Sequence, residues 1–137
     1  EIMLEDYVKK VQIEARILGN IATNYILPAA VKYQNTLLEN VTKLKAVGVD
    51  PDNYAAQVNM INVISGHMQA MSTNVEAMIA ARKVANNEPD MHKRAAMYCN
   101  NIKTMFDNIR YAADKLELIV DNSVWPLPTY YEMLYLG

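Results

Sequence analysis

Apolar or small residues recur at Leu4, Val8, Val11, Ala15, Leu18, Ala22 and Tyr25, the alternating three- and four-residue step of one buried helix face. Beyond Tyr25 the step becomes four, four and four through Ala29, Tyr33 and Leu37, then returns through Asn40 or Val41 to Leu44. The buried stripe therefore moves around the helix, and Pro28 stands at the move. An interior proline removes one backbone hydrogen bond and crowds the preceding turn, so the pattern predicts a helix kinked near Pro28 rather than ended there. A second stripe runs through Ile61, Ile64, Met68, Met71, Val75, Met78, Arg82 and Ala85. A third takes Met91, Ala95, Tyr98, Ile102, Met105, Ile109, Ala112 or Ala113, Leu116, and Ile119 or Val120.

The breaks between these stripes are specific. Val47-Gly48-Val49-Asp50-Pro51 places a glycine suited to a left-handed helix end before an N-cap aspartate and a proline in the first helical position. Asn86-Asn87-Glu88-Pro89-Asp90 interrupts the second stripe. The reading is one domain over residues 1–137, with helices at about 3–47, 51–87 and 90–122 and a tail over 123–137. Two short turns between long helices make neighbours antiparallel, so the expected fold is all-α, an antiparallel three-helix bundle of long helices. Met68, Met71, Met78, Ile102, Met105 and Ile109 should fill its mid-section. The first helix, longer than its neighbours by about ten residues, should overhang them by roughly 15 Å and need a partner there.

Pro126 and Pro128 bar the tail from continuing the third helix, although Pro128 can open a short amphipathic turn. Trp125, Tyr130, Tyr131 and Tyr135 load it with aromatic surface, which favours docking over solvation. Trp125, Leu127, Tyr131 and Leu134 are expected to fold back near the Gly48–Pro51 turn, or against a neighbouring domain.

Composition agrees with packed helices: 52% of residues are hydrophobic, with only four glycines and five prolines. The formal charge of −2 is spread among interspersed signs, so nucleic acid is not an expected partner. The single cysteine, Cys99, excludes an internal disulfide and suits a reducing compartment, and the cytoplasm is the expected location. No apolar run reaches the roughly 18 residues of a membrane span, and the N-terminus lacks the order of a signal peptide. Periodicity begins almost at Glu1, which reads as a domain excised from a larger protein.

Candidate chemistry is sparse. A di-iron bundle site needs Glu-x-x-His pairs, but Ile64 and Pro89 stand three positions before His67 and His92. Gly66-His67-Met68 is a faint echo of a phosphotransfer histidine. Cys99 lacks a nearby histidine and reads as a packed thiol. The nine methionines read as core filler. With no phosphate-cradling loop and no nucleophile–base order, no catalytic, cofactor-binding or metal-ligating residue is assigned. Glu14, Arg16, Asn20, Asn24, Gln34 and Asn35 admit two readings, since Asn and Gln are mediocre helix formers. They are either solvated, with a few bonds to Arg110, Asp114 or Glu117 across the bundle, or they contact another domain.

Three segments carry a family resemblance: Gln12-Ile13-Glu14-Ala15-Arg16 through Pro28-Ala29-Ala30-Val31-Lys32-Tyr33-Gln34-Asn35; Met78-Ile79-Ala80-Ala81-Arg82-Lys83; and Ile109-Arg110-Tyr111 to Asp114-Lys115-Leu116-Glu117-Leu118-Ile119-Val120-Asp121, ending Trp125-Pro126-Leu127-Pro128. Together they resemble the C-terminal helical domain of type III glutamine synthetase across nearly the whole chain. The resemblance implies a parent enzyme that joins glutamate and ammonia, using ATP and Mg2+ or Mn2+, in a ring-built homo-oligomer. It also implies that the nucleotide, metal and glutamate sites lie in preceding β-rich and catalytic barrel domains, so no catalytic residue carries over. This domain's partners would then be the catalytic domains and neighbouring subunits. The alternative is a free-standing helical interaction module whose first helix binds a partner groove.

Overall fold

In the computed structural model, which describes residues 2–127, three helical rods form the fold, and no strand occurs among the described residues. The first rod comprises α1 (Ile2–Ile21), a π-helical turn (Ala22–Ile26) and α2 (Leu27–Ala46). The second is a 3₁₀ turn (Pro51–Tyr54) running into α3 (Ala55–Asn86). The third is α4 (Met91–Met97), another π-helical turn (Tyr98–Ile102) and α5 (Lys103–Ile119).

The first rod passes Pro28 without a loop. Leu27 N–H reaches back five residues to the Ala22 carbonyl, and the wider π turn admits the proline ring next to it. The turn also inserts one extra residue into the helical count. Tyr25, placed on the seam by an unbroken α-helical count, is 51% exposed, whereas Ile26 is 2% exposed. Counting onward from Ile26, the seam runs Ala30, Tyr33, Leu37, Val41 and Leu44, an ordinary three–four step. The uneven spacing in the sequence is thus an inserted residue.

The third rod repeats the device without a proline. Lys103 N–H bonds the Tyr98 carbonyl five residues back, and the shift carries Phe106 into the core alongside Ile102 and Ile109. Phe106 was absent from the expected seam. The same turn leaves Cys99 exposed, which corrects its reading as a packed thiol: the π turn holds Tyr98 inward and its successor outward.

Local chemistry ends each rod. Lys43 and Lys45 occupy the last turn of α2, where cations complement the helix dipole. Gly48 follows with φ of 81°, a left-handed conformation that costs glycine little. The Asp50 carboxylate accepts the Asp52 N–H at 3.2 Å, and Pro51 opens the next helical turn. At the second reversal, the Asp90 carboxylate accepts the Lys93 N–H at 3.1 Å, capping α4. Arg94 Nε and Nη2 both donate to the Glu88 carbonyl, at 2.9 and 2.7 Å, which clamps the turn.

Cross-rod hydrogen bonds show antiparallel register: Gln12 reaches Asn86, Gln34 reaches Ile61 and Ser65, and Gln57 reaches Asn40. As one residue number rises, its partner's falls. The core between the rods holds Ile26, Ile64, Met71, Met78, Tyr98, Ile102, Phe106, Ile109 and Leu116, all essentially inaccessible. Met68 and Met105, expected among them, are half-buried at its margin. After α5 the backbone of Val120 extends, and the Asp121 carbonyl accepts the N–H groups of Val124 and Trp125. That turn returns Trp125, 8% exposed, to the core, with Val124 and Leu127 against it. Tyr131, Leu134 and the expected turn at Pro128 lie outside the described residues.

Candidate functional site

The polar residues of the first rod divide by what they touch. Gln34 Nε2 donates to the Ile61 carbonyl at 3.0 Å and to Ser65 Oγ at 2.6 Å, joining the first and second rods. Asn24 bonds Asn20 along the helix, and Asn35 bonds Glu39. Arg110, instead of reaching the first rod, lies 3.9 Å from Asp107 on the surface of α5. The bonds of Gln34, Asn24 and Asn35 therefore run elsewhere than to Arg110, Asp114 or Glu117. Glu14 is half-buried, whereas Arg16, Asn20, Asn24 and Asn35 are exposed.

One node unites all three rods. The Tyr98 hydroxyl donates to Asn86 Oδ1 at 2.5 Å, and Gln12 Nε2 approaches the same oxygen at 3.4 Å. Beside it opens a groove of about 400 Å³ lined by Glu5, Val8, Lys9, Gln12, Asn86, Met91 and Arg94. Arg94 is committed there to the Glu88 carbonyl.

A second groove, about 190 Å³, lies between α1 and α3, with Arg16, Gly19, Asn20 and Thr23 on one side and Val75, Met78, Ile79 and Arg82 on the other. Arg82 Nε is buried there without a hydrogen-bond partner among the described residues. The sequence assigned Arg82 to the apolar seam. Its position is compatible with that pattern because the long stem packs while the head reaches the groove.

The outer side of the first rod is apolar in places where water faces it. Ile13, Ile17, Tyr25 and Val31 are 55%, 54%, 51% and 54% exposed. On the opposite flank, Lys103 Nζ stands 5.9 Å from the centroid of the Tyr7 ring. Burial, then the neighbouring Cys99, pushes the Tyr7 phenol above its ordinary pKa. His67 meets Tyr111 edge to face at 6.3 Å.

No group of three His, Cys, Asp or Glu side chains that could hold a metal ion occurs among the described residues. Nor is any helix, among the described residues, long and apolar enough to cross a membrane.

Residues 1–45 match the family model for the glutamine synthetase C-terminal domain. They form the first rod almost alone. The chain is also 39% identical, over 98% of its length, to a glutamine synthetase of Bacteroides fragilis. It belongs with the glutamine synthetase C-terminal domains. A type-3 glutamine synthetase of Dictyostelium discoideum is 25% identical over 99% of the chain, and a glutamine synthetase of Butyrivibrio fibrisolvens is 23% identical over 98%. The chain spans about a fifth of these relatives, 19% in each case, consistent with an accessory domain of such an enzyme.

Proposed function

We propose that this glutamine synthetase C-terminal domain is a non-catalytic mounting module, seated through the outer side of its first rod on the catalytic domains or neighbouring subunits of a homo-oligomer. The parent would join glutamate and ammonia with ATP and Mg2+ or Mn2+ in the cytoplasm, its reacting groups lying in the preceding domains. The carrying observation is the exposure of Ile13, Ile17, Tyr25 and Val31. Four large apolar side chains, each more than half exposed along one rod, gain free energy when a partner removes them from water. The rod that presents them is also the part matched by the family model, and the match over only 19% of the relatives leaves ample polypeptide to supply the partner.

The test is the double substitution Ile13→Glu, Ile17→Glu in the intact parent. Both positions are exposed, so the helix should survive, with unchanged circular dichroism in the isolated domain. Native mass spectrometry should then show smaller assemblies, with ligase activity falling in step. A double variant that assembles and turns over like the unsubstituted enzyme overturns the proposal.

A further inference from the structure

The side of the first rod turned away from the core carries charge as well as apolar surface. Lys9, Ile13, Arg16 and Asn20 step along α1 by three and four residues, and Lys10, Ile17 and Asn24 run beside them, all exposed. At 3.6 residues per turn these positions form one face, opposite the buried seam. Beyond the π turn, Val31 and Lys32 are exposed next to each other. Four cations therefore flank Ile13, Ile17 and Val31, each more than half exposed. From Lys9 to Lys32 the sequence holds one acid, Glu14, which is half-buried, although the whole chain has a formal charge of −2. Asp6 and Glu39 stand beyond the two ends of this stretch. None of the four cations is held in an ion pair among the described residues. In water such cations are hydrated and cost little. In a closing interface they select the partner, because like charge is repelled and an unanswered cation loses hydration without compensation.

We propose that the first rod seats on a protein surface of the parent enzyme that is an apolar strip rimmed by aspartate and glutamate, its carboxylates meeting Lys9, Lys10, Arg16 and Lys32 and its centre covering Ile13, Ile17 and Val31. This rests on the mounting role proposed above and adds the chemistry of the partner. An apolar centre inside a polar rim is the usual anatomy of such an interface. Exposed rim pairs each contribute little to strength, so the charges chiefly set orientation. Lys9 and Lys32 lie about 35 Å apart at 1.5 Å per helical residue, well beyond the Debye length of about 8 Å in physiological salt. Separate carboxylates must answer them, and a rod laid down in reverse would meet the wrong ones. An anionic lipid surface presents the same sign of charge but fits the middle of the face poorly. Asn20 and Asn24, bonded to each other there, would be carried toward hydrocarbon by a membrane seated on Ile13 and Ile17, whereas a protein surface can answer them with hydrogen bonds.

Carbodiimide coupling in the intact parent reads the partner directly, since it joins a lysine amine only to a carboxylate already beside it. Peptide mass spectrometry should find Lys9, Lys10 or Lys32 joined to aspartate or glutamate outside this chain, with yields that fall as salt is raised. In analytical ultracentrifugation, the parent carrying Lys10→Gln and Arg16→Gln should assemble about threefold to tenfold more weakly at low salt, with a flatter salt dependence. Both positions are exposed, so the domain keeps its fold. Lys93→Gln, the same loss of charge on α4, should leave assembly unchanged. If Ile13→Glu, Ile17→Glu breaks the assembly but no such links form and the Lys10→Gln, Arg16→Gln parent keeps the unsubstituted salt profile, the rod is a mounting face whose partner is not acidic, and this proposal alone is overturned. If the isoleucine variant also assembles normally, the mounting role falls with it. Sedimentation of the 137-residue chain with phosphatidylglycerol vesicles, abolished by Lys10→Gln with Arg16→Gln and accompanied by no carboxylate link in the parent, assigns the face to lipid and likewise overturns the proposal.

Discussion

Single side chains set the stability of this bundle unequally. Ile102 and Ile109 are completely buried, and truncating either to alanine should cost about 2–4 kcal/mol because the packed surroundings relax only partly around the missing atoms. Urea unfolding of the two variants measures it, and no loss at both positions would mean the core lies elsewhere. Glycine is unfavourable inside a helix by about 0.5–1 kcal/mol. At Gly66 a Cβ would enter open space, so Gly66→Ala should raise stability by about that amount, whereas Gly48→Ala should lower it because of the positive φ. At the end of α5, Asp121 accepts the Ser123 N–H at 2.9 Å. The backbone and then the side chain of Ser123 hold its carboxyl below the ordinary aspartate value. A depressed carboxylate pKa adds stability that is present above the unfolded value and disappears as pH falls through the folded one. NMR titration should therefore find Asp121 ionised at lower pH than an unpaired aspartate, and Ser123→Ala should move its midpoint upward.

At the scale of elements, the two π turns are the features that shape the rods. Each adds one residue to the count, changing which residue of a neighbouring pair is inside: Ile26 instead of Tyr25, and Phe106 alongside the expected Ile102 and Ile109. Pro28 follows the first turn, but the turn at Tyr98–Ile102 contains and precedes no proline. Packing on both sides of the turn is thus sufficient to hold it. Pro28→Ala should accordingly leave the first π turn in place, with Tyr25 still exposed and Ile26 still buried. Amide exchange and Cα chemical shifts over residues 22–28 check this. Reversion to a regular α-turn, with Tyr25 drawn inward, would show that proline alone imposes the shift.

Across the whole molecule, the rods are held by a continuous apolar core, cross-rod hydrogen bonds and a returning tail. Asn86 meets both Tyr98 and Gln12, so Tyr98→Phe should cost about 1 kcal/mol, the usual net value of one hydrogen bond. Deleting residues 124–137 uncovers the surface beneath Trp125, Val124 and Leu127. The shortened domain should melt lower or associate, and differential scanning calorimetry with light scattering separates these outcomes. A melt unchanged by the deletion would show that Trp125 contributes nothing to the fold.

Much of this architecture was legible because helix periodicity, glycine and proline are local signals. The three stripes, the left-handed Gly48, the cap at Asp50 and the break before Met91 follow from residues close together in sequence, and the family resemblance rests on wording and order along the chain. The sequence likewise showed that something happens at Pro28. What happens there is a tertiary matter: an inserted residue is stable only if both flanking stripes find partners, and those partners, on α3 and the third rod, lie far away along the chain. For the same reason Phe106 entered the core, Cys99 turned outward, and Gln34 found Ile61 and Ser65 rather than α5. Arg82 is a further case: in sequence it is one more step of a heptad, and only packing buries its Nε. Local propensity determined where the helices run, whereas burial, which depends on what packs against each face, decided which side chains were enclosed and which were left at the surface.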